Sequence, residues 1–164
     1  ALPHGVASSR IMAPGDFVTL DFGAVYNGYH SDITRTVVLG RPEKKQEEIY
    51  QLVLEAQMSA IESLRAGIKA SDVDGAARRI IEQAGYGKQF GHGTGHGVGL
   101  SIHEKPRLSA KDQSLLEEGM VVTIEPGIYL PGWGGVRIED TVLVLNGGCR
   151  VLTRTPKENL LSLS

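Results

Sequence analysis

Between positions 91 and 99 the chain reads Gly91-His92-Gly93-Thr94-Gly95-His96-Gly97-Val98-Gly99, with glycine at every second place. Glycine is about 1 kcal/mol poorer than alanine in a helix, and a run this dense forbids a stable one. Without Cβ atoms the backbone can approach a ligand or metal closely, so the segment is read as a loop beside a site. It carries His92 and His96, and His103 follows, giving three histidines within twelve residues. Imidazole is the commonest metal ligand and a usable acid or base near neutrality. A lone histidine is more often structural, whereas three in a glycine-rich loop point to a site. The arrangement is not the helical H-E-x-x-H zinc motif, because the glycines exclude that helix.

The segments on either side predict an α+β chain. Asp16 to Ala24 alternates Phe17, Thr19 and Asp21 with Val18, Leu20 and Phe22, as a strand does. Tyr26-Asn27-Gly28-Tyr29 is a strong hairpin signal, and a second strand is expected from Tyr29 to Leu39. Glu43 to Ala66 has helical spacing, with Gly67 as its C-cap. Ser71 and Asp74 suit a capping box for a helix over Val73 to Ala84. Later strands are expected at Met120 to Glu125, Val136 to Leu145 and Cys149 to Thr153. A hairpin, two helices and then antiparallel strands do not make βαβ units.

Aspartate is disfavoured in strands, yet Asp21 and Asp32 both interrupt apolar alternation. A two-residue Asn27-Gly28 turn sets Gly23 opposite Asp32 and Asp21 opposite Thr34. The two aspartates are then diagonal neighbours, roughly 7–8 Å apart at the backbone. Like charges so close repel unless a cation lies between them, and a divalent metal meets that need with oxygen ligands. Taken alone, they could equally be two exposed aspartates flanking a turn. Glu125 ends the apolar run Val121-Val122-Thr123-Ile124 before Pro126-Gly127, and Glu139 follows Arg137 on the same strand face. A carboxylate at the end of a buried strand needs a partner; for Glu139 a plain ion pair with Arg137 is the alternative to a metal. Four carboxylates with at least one histidine carry too much negative charge for one zinc. They suit two divalent ions sharing bridging carboxylates about 3.5–4 Å apart and holding a water as hydroxide.

Composition excludes other classes. A net charge of −2 over 164 residues gives no electrostatic reason to expect nucleic acid or an anionic membrane as partner. No stretch reaches the roughly 20 apolar residues of a membrane span. Cys149 is the single cysteine, which favours a reducing compartment, the cytoplasm. The opening Ala1-Leu2-Pro3-His4-Gly5 has no initiator Met and reads as the middle of a loop, so a fragment is expected.

These residues resemble a known family, the pita-bread metallopeptidases, which include methionine aminopeptidase, Xaa-Pro aminopeptidase and prolidase. The resemblance covers essentially the whole chain. It implies an α+β pita-bread (creatinase/aminopeptidase) fold, an antiparallel sheet with helices packed on one side, present here as a partial domain. Residues 1–164 would be the C-terminal portion of the catalytic domain, without the upstream half-domain and the N-terminal domain. The implied metal ligands are Asp21, Asp32, His96, Glu125 and Glu139, with Asp32 and Glu139 bridging both ions. Two features resemble the proline-specific branch: His92 four residues before His96, and Arg137 two before Glu139. Tyr129 fits the same branch.

The expected activity is therefore release of an N-terminal residue that precedes proline, by a bridging hydroxide on a dinuclear centre. Manganese is the expected metal, with cobalt, iron and zinc as alternatives. Glu125 would shuttle a proton. His92 and His103 would hydrogen-bond the substrate or the tetrahedral intermediate, and His4, Tyr129 and Arg137 would complete the substrate contacts. His30, beside the turn, is read as structural. The expected partner is a peptide with proline in second place, and oligomeric state is left open, a homodimer included. Methionine aminopeptidase is the alternative within the family, and a non-catalytic peptide-binding or scaffold homologue is the alternative outside enzymes.

Overall fold

Asn27 (φ 50°) and Gly28 (φ 84°) both adopt left-handed backbone, the pair of conformations that a type I′ turn requires. In the computed structural model, which describes residues 1–164, this turn closes a long hairpin. On one side β1 (Phe17–Phe22) leads into β2 (Val25–Tyr26), and on the other β3 (Tyr29–His30) leads into β4 (Ile33–Leu39). Asp21 faces Thr34 and Tyr26 faces Tyr29, the register that the turn dictates. The strand expected over Tyr29 to Leu39 is in fact two, broken at Ser31 and Asp32. There the Ala24 amide donates to the Ser31 hydroxyl (3.1 Å), and the Ser31 amide donates to the Ala24 carbonyl (2.9 Å), so local bonds replace the regular ladder.

Two helices follow, α1 (Lys44–Ser63) and α2 (Ala70–Gln83). Glu43 and Gln46 form a reciprocal capping box at the start of α1. The helix ends before the expected Gly67 cap: Leu64, fully buried, turns to extended backbone, and Gly67 instead donates its amide to Leu116 (2.8 Å). α2 begins earlier than expected, and no Ser71–Asp74 capping box forms. The amides of Ala70 and Ser71 donate to Ser114 and Asp112 carbonyls (2.9 Å each), so a neighbouring loop caps the helix and Asp74 is left to turn elsewhere.

The remaining strands are β5 (Gly95–Gly97), β6 (Glu104–Leu108), β7 (Val121–Ile124), β8 (Gly127–Leu130), β9 (Gly134–Arg137), β10 (Asp140–Leu145), β11 (Gly148–Val151) and β12 (Ser162–Leu163). They form a five-stranded sheet in the order β11-β10-β7-β5-β6 and a two-stranded β8-β9 ribbon. β4 lies between β1 and β12 in a third sheet, where β12 is the one parallel neighbour. The glycine run is thus not simply a loop, because its centre is a buried sheet strand. A Cβ on Gly95 would collide with the Thr123 carbonyl, so glycine serves here for strand-to-strand approach. The run expected from Val136 to Leu145 is also split. β9 pairs with β8 while β10 pairs with β7 and β11, and Ile138 and Glu139 make the crossing.

One apolar core joins both helices to the sheets. Ile49, Val53, Ala60 and Leu64 from α1 and its end, and Val73, Ala77 and Ile81 from α2, pack with Leu108, Val122, Ile124, Ile128, Val136, Val142 and Val144. The polar site lies away from this core, where the β1–β4 hairpin meets the ends of β5, β7 and β9. The Glu139 amide donates to the Thr34 carbonyl (3.1 Å), tying the hairpin to the crossing between β9 and β10.

Candidate metal centre

Asp21, Asp32, His96, Glu125 and Glu139 line one cavity of about 230 Å³, together with His4, Phe22, Gly23, Ile102 and His103. Within it, ligand-capable atoms of Asp32, His96 and Glu139 lie within 4.8 Å of one another. Each has a structural reason for its position. Asp32 stands at the break in the hairpin, where its side chain leaves the regular ladder. His96 is the central residue of the glycine-flanked β5. Its Nδ1 is 2.9 Å from the Gly97 carbonyl, which can only accept, so Nδ1 carries the proton. Nε2 is thereby turned toward Glu125 (3.2 Å) and Asp32 (3.7 Å), the orientation of a metal-ligating imidazole. Glu125 follows β7, and its Oε1 accepts from the Thr123 hydroxyl at 3.0 Å. Buried Glu139 accepts from the Thr34 hydroxyl at 2.6 Å.

Arg137 does not pair with Glu139, contrary to the plain ion-pair alternative. Its guanidinium donates to Asp21 Oδ2 (2.6 Å), to the Tyr129 hydroxyl (2.9 Å), to the Pro3 carbonyl (2.8 Å) and to Thr34 Oγ1 (3.3 Å). Tyr129 in turn lies 2.9 Å from His92 Nε2, and His92 Nδ1 lies 2.8 Å from the Gly93 carbonyl. His92, Tyr129, Arg137 and Asp21 are therefore one hydrogen-bonded chain, of which only Asp21 reaches the cavity wall. Both ring nitrogens of His92 are engaged within the chain, so it meets a substrate only by exchanging a partner. His103 sits on the wall, its ring 4.4 Å from that of His96. His30 holds the Gly99 carbonyl with its backbone amide (2.7 Å), and its Nδ1 lies 3.2 Å from the same oxygen, a structural contact.

The electrostatics are those of a site made for cations. Burial, together with the charges of Glu125 and Asp32, pushes the Glu139 carboxyl up to about 8. Burial and the neighbouring Asp21 push Asp32 up to about 6. Burial would also raise Glu125, but its hydrogen bond and attraction to His96 hold it below the usual carboxylate range. Desolvation disfavours the His96 imidazolium, yet Glu125 and Asp32 lift that ring above its ordinary value. Such crowding of carboxylates is costly in a metal-free protein and is relieved by divalent cations, so the donor set fits the expected ions.

The profile of metallopeptidase family M24 matches residues 1–146. The chain belongs to this family. It is 58% identical over 98% of its length to the Xaa-Pro dipeptidase of Pyrococcus furiosus, of which it covers 46%. Its fold superposes with a TM-score of 0.96 on an Xaa-Pro dipeptidase from Bacillus anthracis, at 54% identity over 99% of this chain and 45% of that one. An X-Pro aminopeptidase from Thermotoga maritima also gives a TM-score of 0.96, at 44% identity over 99% of this chain and 45% of that one. The chain thus spans about half the length of the relatives it matches. The α+β pattern read from the residues and the pita-bread fold implied by the resemblance are the ones found, and no helix is long and apolar enough to cross a membrane.

Several supports of this M24 site do not stand out in the sequence. Thr34 and Thr123 donate to Glu139 and Glu125. A signal existed for both: Thr34 faces Asp21 across the hairpin, and Thr123 lies two residues before Glu125 on the same face. Buried Asp140 accepts from Arg35 (2.7 Å), Gln57 (2.9 Å) and Lys157 (2.5 Å), while Arg35 also donates to the Glu139 carbonyl (2.6 Å). That network couples α1, β4 and the C-terminal segment to the backbone of Glu139. No local pattern announces it.

Proposed function

We propose that this chain supplies the metal-bearing part of a peptidase that hydrolyses the bond between an N-terminal residue and a following proline. The observation that carries this is the convergence of Asp32, His96 and Glu139 within 4.8 Å, in a cavity that Asp21 and Glu125 also line. The names of the relatives, Xaa-Pro dipeptidase and X-Pro aminopeptidase, supply the substrate class. Asp21, Asp32, His96, Glu125 and Glu139 would hold two divalent ions, manganese by preference. When bound, such ions activate a water and polarise the scissile carbonyl.

The chain's own residues supply the rest. Glu125 accepts a proton from the attacking water and returns it to the leaving proline nitrogen. That nitrogen has no hydrogen of its own in the substrate, so the returned proton is what makes it a stable leaving amine. His103 is on the cavity wall, and desolvation with the nearby His96 keeps its pKa below the ordinary value. It is therefore a neutral N–H donor for the oxygen that gains charge. His4, on the same wall, is a substrate contact. His92, Tyr129 and Arg137 fix the direction of Asp21, and His92 reaches the substrate by exchanging its Tyr129 partner.

The test is release of the first residue from Ala-Pro, Ala-Pro-Ala and Met-Ala-Ala by the intact polypeptide loaded with Mn²⁺. Cleavage of Ala-Pro alone is the dipeptidase result, and cleavage of both proline peptides is the aminopeptidase result. Turnover of Met-Ala-Ala alone would overturn proline specificity. No turnover with metal bound would overturn the peptidase assignment.

A further inference from the structure

α2 holds an ion pair between buried Asp74 and half-buried Arg78 that the mechanism above does not use. Asp74 is wholly buried, and both its oxygens accept from the Arg78 fork, at 2.8 and 2.9 Å. Asp74 Oδ1 also accepts from the Thr94 amide (3.1 Å) and the Thr94 hydroxyl (2.9 Å). Arg78 gives two of its three remaining hydrogens to the same loop, donating to the Phe90 carbonyl (3.0 Å) and the His92 carbonyl (2.8 Å), with its guanidinium 4.3 Å from the Phe90 ring centre. One pair on one helix thus holds residues 90, 92 and 94. The Thr94 carbonyl then accepts the Glu125 amide at 2.7 Å, which carries the connection to the end of β7.

We propose that Asp74 and Arg78 are the positioning pair of the metal centre, setting the glycine-rich strand that bears His96 and the backbone of Glu125 in register with each other. This rests on the ligand assignment under Proposed function. Glycine at alternate places lets β5 pass between its neighbours but leaves the segment with few side chains to define its path. The path is defined from outside, by a planar fork and a carboxylate that bond three alternate positions, Phe90, His92 and Thr94, the last of which carries the Glu125 amide on its carbonyl. A guanidinium suits this because its donors are fixed in one plane; an ammonium of the same charge cannot reach Asp74, Phe90 and His92 together.

The experiment uses the intact polypeptide and three variants: Arg78→Lys, Asp74→Asn, and Ile81→Val as a control. Ile81 is buried on the same helix and makes no side-chain hydrogen bond to the loop. Each protein is melted, titrated with Co²⁺ while its visible absorption is recorded, and assayed for kcat and KM on Ala-Pro. Arg78→Lys is expected to shift the Co²⁺ bands and weaken Co²⁺ binding about 10–100-fold, as loss of outer supports of metal ligands does. Its kcat should fall on the order of 100-fold. Ile81→Val should lower the melting temperature while keeping wild-type bands and kcat. If Arg78→Lys behaves like that control, with a lower melting temperature and an unchanged spectrum and kcat, the pair is only structural and the inference is overturned. Should Arg78→Lys not fold, Asp74→Asn carries the same comparison, because it keeps an acceptor for Thr94 while removing the charge and the oxygen that accepts from Arg78 Nε. A wild-type protein that binds Co²⁺ but cleaves no peptide would sink the proposed function, while the spectra of the variants still decide the role of the pair.

Discussion

Removing the metal should invert the dependence of stability on pH, and Glu139 sets the size of the effect. In the metal-free protein its carboxyl is pushed up to about 8 from the ordinary glutamate value of 4.5. Between those limits the native state holds a proton that the unfolded chain has lost, so stability falls as pH rises through the window. Carried to a pH above 8, that difference alone corresponds to roughly 5 kcal/mol, an upper bound because the clustered carboxylates share their protons. Asp32, pushed up to about 6, adds a loss of the same sign in the lower part of the window. His96 adds another, since its folded value lies above the ordinary one and its contribution fades as pH rises through it. His92, which burial holds below the ordinary value, opposes them, because its native state sheds a proton first.

Divalent ions replace those protons. Mn²⁺ affinity should therefore climb with pH up to about 8, by roughly 100-fold between pH 6 and pH 8 for one displaced proton. The metal's contribution to stability then grows as the metal-free stability shrinks. Urea unfolding followed by the fluorescence of Trp133, the single tryptophan, would measure both in EDTA and in Mn²⁺ from pH 5.5 to 8.5. In EDTA the midpoint should drop across that range; in Mn²⁺ it should hold or rise. Glu139→Gln should flatten the EDTA profile and lose most of the Mn²⁺ response. A metal-free protein as stable at pH 8.5 as at pH 5.5, or a Glu139→Gln variant with the original slope, would refute the argument.

Thr34→Val deletes the hydroxyl that donates to Glu139 at 2.6 Å in a fully buried setting, and should weaken Mn²⁺ binding about 10–100-fold by titration while the fold survives. Gly95→Ala should abolish cooperative folding or soluble expression, because its Cβ meets the Thr123 carbonyl and β5 has strands on both sides. Lys157→Met removes a cationic partner of buried Asp140 and should cost about 3–5 kcal/mol in urea unfolding, as breaking a buried pair does. A change under roughly 1 kcal/mol in that variant would show that Arg35 and Gln57 satisfy Asp140 without it.

Where a local rule determines the geometry, the residues alone disclose it. Asn27-Gly28 admits one turn, that turn admits one register, and the register sets Asp21 opposite Thr34 with Asp32 one diagonal step away. The same logic places Glu125 at the end of an apolar strand. Other features defeat it for identifiable reasons. β8 and β9 are four residues each, too short for a period to emerge, and Val136 to Leu145 holds no Gly or Pro to mark the crossing at Glu139. β5 is concealed by its own composition, since the glycines that suggest a loop are what let a strand pass between crowded neighbours. Asp74 satisfies a helix-capping pattern, yet its bonds go to Arg78 and to Thr94, and the pattern carries no trace of the second. The contrast is between two kinds of support. Cavity residues are positioned by turns and strand ends that neighbours in sequence encode. What holds them there is Thr34 on Glu139, Arg35 on Asp140 and Asp74 on Thr94, and each of these contacts joins residues that only the folded chain brings together. A site whose ligands survive while such supports are lost would keep its motif and lose its geometry, which is why the supporting residues are the more informative ones to mutate.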